Sequence, residues 1–326
     1  MSPTGTGRVL AGASGPIEFD LVGDDLRRPE CVLATAAGRL HVSDKRGGVT
    51  TIEPDGRQHL LGSSAMVPNG IALQRDGGFL VANLGPDGGV WRIDAQGSVQ
   101  PWLLEFAGVR LPGVNFVTTD AQDRTWICVS ANQTGDRYPL RERSGYILLH
   151  DRHGIRQVGG ELGYTNELRL SADGRQLFVN ETFARRTTRF ALASDGCLRD
   201  RATVAEFEAG DFPDGLTLDA EGALWVVCVG SNRIYRITAD GKRQTVIDDA
   251  DPECVARLES AMQAGELTRP LLGAARGRHL ANVTSLAFGG PDLCTAYLGC
   301  LGGSALVRFR SPVAGLRPDH WNWAGA

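Results

Sequence analysis

The stretch Phe212-Pro213-Asp214-Gly215-Leu216-Thr217-Leu218-Asp219-Ala220-Glu221-Gly222-Ala223-Leu224-Trp225-Val226 constrains the fold more than any other, because the chain repeats its pattern. It reads as turn, short strand, tight turn, short strand. A short strand pair cannot bury both of its faces alone, so a chain that writes this phrase repeatedly must stack the copies on one another.

The copies align on the residue at the tight turn after each first strand. The turn residues are Gly38, Gly77, Asp123, Gly174, Gly222 and Asp292. Counting back eight from each gives Glu30, Asn69, Asn115, Asn166, Asp214 and Thr284. A third strand follows in every copy, at 49–53, 90–94, 146–150, 188–192, 233–238 and 305–310, and a fourth in several, such as 243–248. The unit is a four-stranded antiparallel meander, and six such units in a ring predict an all-β, six-bladed β-propeller. The chain stops after the third strand of the sixth copy, so the N-terminal segment 17–22 is expected to supply that copy's outer strand. An open sandwich or two β-domains would leave six equivalent copies unexplained. The whole of 1–326 therefore reads as one domain. The segment 251–280 breaks the pattern: Asp251 as N-cap, Pro252 at the first helical position and Gly265 past the end predict a helix carrying Val255, Leu258 and Met262 on one face.

Composition agrees with many tight turns: 42 of 326 residues are Gly, about 13% against a usual ~7%. Net charge is −4 with both signs interspersed, so no basic face for nucleic acid is expected. No apolar run has the length of a membrane helix, and Met1–Gly15 lacks the apolar centre of a signal peptide. Seven scattered cysteines (Cys31, Cys128, Cys197, Cys228, Cys254, Cys294, Cys300) read as reduced thiols of a cytoplasmic protein. The expected partner is a small molecule, with the chain a monomer or small homo-oligomer.

In a propeller the first residue of each innermost strand sits at one mouth of the central channel. The six counted positions therefore predict a ring of polar side chains at that mouth, two of them carboxylates. Polar residues at strand starts also commonly satisfy turn backbone. Carboxylates converging on one axis, however, repel unless a cation lies between them. An all-oxygen ligand set selects Ca2+, with Mg2+ and Mn2+ as alternatives and Zn2+ the poorest match. There is no GxSxG elbow and no His near the ring, which disfavours a serine triad.

The chain resembles the family of senescence marker protein 30, gluconolactonase and luciferin-regenerating enzyme. The resemblance is carried by Arg28-Pro29-Glu30-Cys31, Pro68-Asn69-Gly70-Ile71-Ala72, Asn115-Phe116-Val117, Thr165-Asn166-Glu167-Leu168, Phe212-Pro213-Asp214-Gly215 and Val283-Thr284-Ser285-Leu286-Ala287-Phe288-Gly289-Gly290. It implies a six-bladed propeller with one divalent cation, usually calcium, held by Glu30, Asn166 and Asp214. Asn115 would lie beside it and contact substrate or water. The implied activity is metal-dependent hydrolysis of a lactone, such as a sugar-acid lactone or another small cyclic ester, with Asp214 as ligand and base. The same metal site used for ester or organophosphate hydrolysis, or for a lyase or aldol-type reaction, is a second reading. A calcium-stabilised interaction scaffold is a third.

Strand direction sends further residues to the same mouth. Asn69, Thr284, Arg110, Arg137 and Tyr138 are candidate substrate contacts, and a solvated charged rim is the plain alternative for the arginines. The insertion is a candidate lid, pocket wall or oligomer contact. Two departures bear on substrate. Gly113 stands where the family often has Arg, two residues before Asn115, and Glu167 follows Asn166 where Gly is common. Glu167 is open as a ligand, a second base, a substrate contact or a side chain turned into the blade.

Overall fold

The computed structural model describes residues 8–12, 15–131 and 135–323; residues 1–7 and 13–14, within the stretch read for a signal peptide, lie outside them. Its helices are short and its strands many. Four sheets hold four antiparallel strands each, in chain order from first to fourth. Sheet I is Val32–Ala34, Leu40–Asp44, Gly48–Ile52 and Gln58–Leu61. Sheet II is Pro68–Leu73, Phe79–Asn83, Val90–Ile93 and Val99–Leu103. Sheet III is Val114–Thr119, Thr125–Val129, Gly145–Asp151 and Gly154–Leu162. Sheet IV is Thr165–Leu170, Gln176–Glu181, Arg186–Leu192 and Leu198–Glu206.

Apart from a two-stranded ribbon, Glu105–Phe106 with Val109–Arg110, the remaining strands form one nine-stranded sheet. One flank is Asp211–Leu218, Leu224–Gly230, Arg233–Ile237 and Arg243–Asp248; the other is Val283–Gly289, Thr295–Cys300, Leu306–Arg310 and Gly15–Val22. The N-terminal strand thus supplies the fourth strand of the last copy, pairing Phe19 with Phe309 and Val22 with Leu306. The strand Arg8–Gly12, which sequence patterning did not anticipate, joins the two flanks by pairing with Gly15–Val22 and touching Ile247 through Gly12.

Burial grades across each unit. Every residue of Leu224–Gly230 is buried, whereas Leu198–Glu206 is half exposed. First strands pack on first strands: II on III, III on IV, IV on Asp211–Leu218, that strand on Val283–Gly289, that on I, and I on II. The succession returns to its start. Between the units lie buried apolar layers, with Trp126 and Trp225 fully enclosed at equivalent places in second strands. Each indole N–H donates to the Asp that opens the preceding turn, Asp120 (2.9 Å) and Asp219 (3.0 Å). The other oxygen of each Asp accepts two backbone N–H groups of its turn. One carboxylate so closes the turn and satisfies the buried ring nitrogen, which removes the penalty of burying that donor unpaired.

Five of the six counted turn residues have left-handed backbone: Gly38, Gly77, Asp123, Gly174 and Gly222. In the sixth turn that residue is Leu293 (φ 56°) rather than Asp292, and its N–H closes on Gly290 O. There the first strand runs one residue further past its bulge before a turn of the same length, Gly289 pairing with Thr295 as Leu218 pairs with Leu224.

Helix α1, Pro252–Ala264, starts where the sequence marks it. Asp251 accepts from Cys254 N at 2.8 Å, and Gly265 ends the helix in left-handed conformation. Leu258 and Cys254 are its buried residues, and Met262 packs partly buried in the same cluster. A second short helix, α2, Arg269–Gly273, follows behind N-cap Thr268. At the other end of the first strands the C-terminal segment crosses from unit to unit. Leu316 N donates to Leu218 O, His320 Nε2 meets Ala34 O at 3.2 Å, and Arg75 lies over the Trp323 ring.

Candidate active site

Five of the six first strands carry an irregularity in register at the counted position. The shifts fall between Pro68 and Ile71, Val114 and Phe116, Thr165 and Leu168, Pro213 and Leu216, and Val283 and Leu286. A bulge re-aims the side chains beside it. Asn69, Asn115, Asn166 and Asp214 all line one cavity of about 500 Å3, together with Glu30, which precedes its strand. Glycine follows two of them for a steric reason. A Cβ on Gly70 would stand 2.7 Å from Phe116 Cα, and one on Gly215 would stand 2.3 Å from Thr284 O. Neighbouring first strands could not approach so closely otherwise.

Glu30 is fixed through its backbone. Its carbonyl accepts from Thr284 Oγ1 (2.8 Å) and Ser285 Oγ (2.6 Å), so the last unit clamps the first. Arg28, with φ 50°, reaches the cavity and donates to Pro68 O (2.9 Å) and Asn69 Oδ1 (2.7 Å). Asn69 Nδ2 in turn donates to Asn115 O (2.9 Å). Asn166 Nδ2 donates to Thr182 Oγ1 (3.0 Å), whose own proton goes to Pro213 O (2.9 Å). That chain fixes the Asn166 amide with Oδ1 on the other side.

Two buried side-chain oxygens here have no hydrogen-bond partner, Glu30 Oε2 and Asn166 Oδ1. Burial raises the Glu30 carboxyl to about 8, with Arg28 pulling down and Glu167 pushing up. Burial raises Asp214 well above the carboxylate range, and the neighbouring charges of Glu30 and Glu167 add to it. Two buried carboxylates raising each other, beside orphaned oxygens, are a donor set that a divalent cation satisfies. Among the described residues there is no cluster of three or more His, Cys, Asp and Glu, so an amide completes this set.

The rest of the lining comes from elements the ring does not predict. Tyr138, Tyr164 and Phe183 form a wall in mutual contact, with ring centroids 4.7 to 5.5 Å apart. Helix α2 contributes Arg269, Pro270, Leu272 and Gly273, while Lys45 and Asp136 stand at the rim. The insertion is therefore a wall of the cavity. It is held down by Leu258, Leu267 and Leu272 in an apolar cluster with Phe183 and Phe212, and by the Arg185–Glu259 ion pair.

Four residues expected to face substrate stand elsewhere. Glu167 leaves its bulge on the side opposite Asn166, accepting from Leu216 N (3.2 Å) and Arg169 (2.9 Å). Arg110 is exposed on the two-stranded ribbon Glu105–Phe106/Val109–Arg110 and bonds Asp87 O at 3.2 Å. Arg137 is exposed, and its backbone bridges Thr268. The Thr284 hydroxyl is committed to Glu30 O. Residues the count missed had weak signals. Arg28 and Tyr164 each lie two before a ring residue, and Thr182 and Phe183 directly follow the second strand of sheet IV, Gln176–Glu181. All seven cysteines are unpaired, and among the described residues no helix is long and apolar enough to cross a membrane.

A profile described as the SMP-30/Gluconolactonase/LRE-like region matches residues 29–256, and the chain belongs to that family. Rabbit (Oryctolagus cuniculus) regucalcin is 22% identical over 232 residues, 71% of this chain and 68% of that protein. Zebrafish (Danio rerio) regucalcin is 26% identical over 171 residues, 51% of this chain and 48% of that protein. Among solved structures, a gluconolactonase from Xanthomonas campestris superposes with TM-score 0.69 at 19% identity, covering 95% of this chain and 96% of its own. A calcium-binding regucalcin from Agrobacterium tumefaciens gives 0.68 at 16% identity, covering 94% and 96%. These superpositions speak for a shared fold.

Proposed function

We propose that the protein is a single six-bladed β-propeller whose cavity is the mouth of the central channel, and that it is a divalent-cation-dependent hydrolase opening a lactone ring. The observation that carries this reading is the pair of orphaned buried oxygens, Glu30 Oε2 and Asn166 Oδ1, beside Asp214 in one cavity. Family membership, and the names gluconolactonase and regucalcin among its relatives, support it.

Glu30, Asn166 and Asp214 would hold the cation, Ca2+ being the best match to oxygen donors. Once bound, it supplies polarisation of the ester carbonyl and charge for the developing oxyanion. Asp214, lining the same cavity, would take the proton of the attacking water. Asn69 donates to Asn115 Oδ1 at 3.3 Å, which leaves the Asn115 NH2 as a donor toward substrate oxygen. Arg28 holds Asn69 in place and offsets part of the carboxylate charge beside Glu30. The cavity lining contains no His, Ser or Cys among the described residues, so no nucleophile–base pair competes with this assignment.

The test is calcium titration by calorimetry alongside lactone turnover, for the natural chain and Asp214→Asn. Loss of both binding and turnover in the variant is expected. Full turnover by chelator-treated Asp214→Asn would overturn the proposal.

A further inference from the structure

Most donors at the floor of the cavity are already committed, the Asn115 NH2 being kept for the ester oxygen. Arg28 is occupied by Pro68 O and Asn69, Asn69 Nδ2 by Asn115 O, Asn166 Nδ2 by Thr182, and the Thr182 proton by Pro213 O. The wall above is aromatic. Tyr138, Tyr164 and Phe183 contact one another as three rings, with Tyr138 and Tyr164 at 90° and Phe183 backed by Phe212. Leu84 lines the cavity beside Gly113, where a Cβ would already stand 3.2 Å from Leu84 Cδ2. A ring of hydroxyls docked here would give up water and meet, on this wall, only the two phenol groups of Tyr138 and Tyr164. An aromatic ring would find the edges and faces of three others.

We infer that the lactone taken by this cavity carries an aromatic group rather than a ring of hydroxyls, an inference that rests on the lactone-hydrolase reading. The cation ligands hold the ester end, and the Tyr138–Tyr164–Phe183 wall takes the aryl end.

The experiment uses the full chain loaded with calcium and three probes: dihydrocoumarin, δ-valerolactone and glucono-δ-lactone. Each kcat/KM is divided by the probe's own rate with hydroxide. Two committed hydroxyls lacking partners, at roughly tenfold each, put dihydrocoumarin on the order of 100-fold above glucono-δ-lactone. Tyr138→Ala and Phe183→Leu are expected to lower the ratio of dihydrocoumarin to δ-valerolactone turnover about tenfold. Calorimetry with the ring-opened acids, 3-(2-hydroxyphenyl)propionate and gluconate, reads the wall without turnover and stands if a variant fails to fold. Preference for glucono-δ-lactone, or tighter binding of gluconate, overturns the aromatic assignment and leaves the hydrolase. Binding of the aryl acid with no lactone turned over supports the wall and overturns the hydrolase. Neither binding nor turnover overturns both.

Discussion

Thr182→Val tests how the site is held together. The hydroxyl is buried and used twice, accepting from Asn166 Nδ2 at 3.0 Å and donating to Pro213 O at 2.9 Å. Valine has nearly the same shape, so no cavity opens. Two hydrogen bonds vanish, and a buried amide and a buried carbonyl lose partners. Losing buried partners costs ~1–3 kcal/mol apiece, so unfolding in urea with chelator present should show a loss of about 2–4 kcal/mol. The second consequence is specific to the cation reading. The bond to Thr182 sets which way the Asn166 amide faces. Freed, the amide can turn its NH2 toward Glu30 and Asp214. Calcium binding by calorimetry should then weaken about tenfold, equivalent to ~1.4 kcal/mol. Thr182→Ser keeps the hydroxyl and should hold calcium within about twofold, at a cost of roughly 1 kcal/mol for one methyl group. Equal calcium affinity in the Val and Ser variants would refute the assignment of Asn166 Oδ1 as a ligand.

Three further outcomes are expected. Glu30→Gln removes one of two buried carboxylates that raise each other; calcium affinity should fall at least ~100-fold by calorimetry while the chelator-treated protein gains ~1 kcal/mol in urea, the sign opposite to a structural ion pair. His320 is held neutral, its ring pKa lowered by burial from 6.5 to about 4 while Nε2 donates to Ala34 O. The unfolded chain binds the extra proton, so this stability is full above pH ~6.5 and is lost as pH falls toward ~4, by up to ~3 kcal/mol. In His320→Gln the difference between urea midpoints at pH 7 and pH 4.5 should shrink accordingly. Gly215→Ala forces a methyl to 2.3 Å from Thr284 O, where only backbone can yield, and should cost ~1–3 kcal/mol and weaken calcium binding. Gly222→Ala meets nothing within 4 Å and should cost only ~1 kcal/mol, from its left-handed φ of 78°.

The repeat was legible because its period is written in residues with one physical job. Left-handed turns call for Gly or Asp, and a Gly or Asn beside a bulge lets neighbouring strands approach. The count of eight found Asn69, Asn115, Asn166 and Asp214 because the bulge sits at about the same distance from the turn in those copies, and it found Glu30 although its strand carries no bulge. It still reached Thr284 in the sixth copy because Asp292 stands one residue short of the true turn residue, Leu293, and the first strand there runs one residue further past its bulge. It could not say which side of the bulge a neighbour takes, so Glu167 stays open in the sequence between ligand, base, substrate contact and blade, and the structure turns it to Leu216 N and Arg169. The aromatic wall was harder to read. Tyr138, Tyr164 and Phe183 come from three segments with no shared spacing, and only packing against α1 and α2 brings them together. Arg110 and Arg137 were drawn in by loop direction alone, and both remain in solvent.

The clamp on Glu30 sets an order of events in folding. Its carbonyl is held by Thr284 and Ser285, separated from it by 254 and 255 residues. Closing a loop of that length costs about 5 kcal/mol of chain entropy in addition to a constant, and contacts so distant along the chain form late. The same late step pairs Gly15–Val22 with Leu306–Arg310. A chain emerging during synthesis can build sheets I to IV while Glu30 waits for an anchor that has yet to be made. Calcium affinity should therefore appear only when the last unit is in place, and a cation present at that moment would act as a latch, slowing the reopening of the ring more than it speeds its closing.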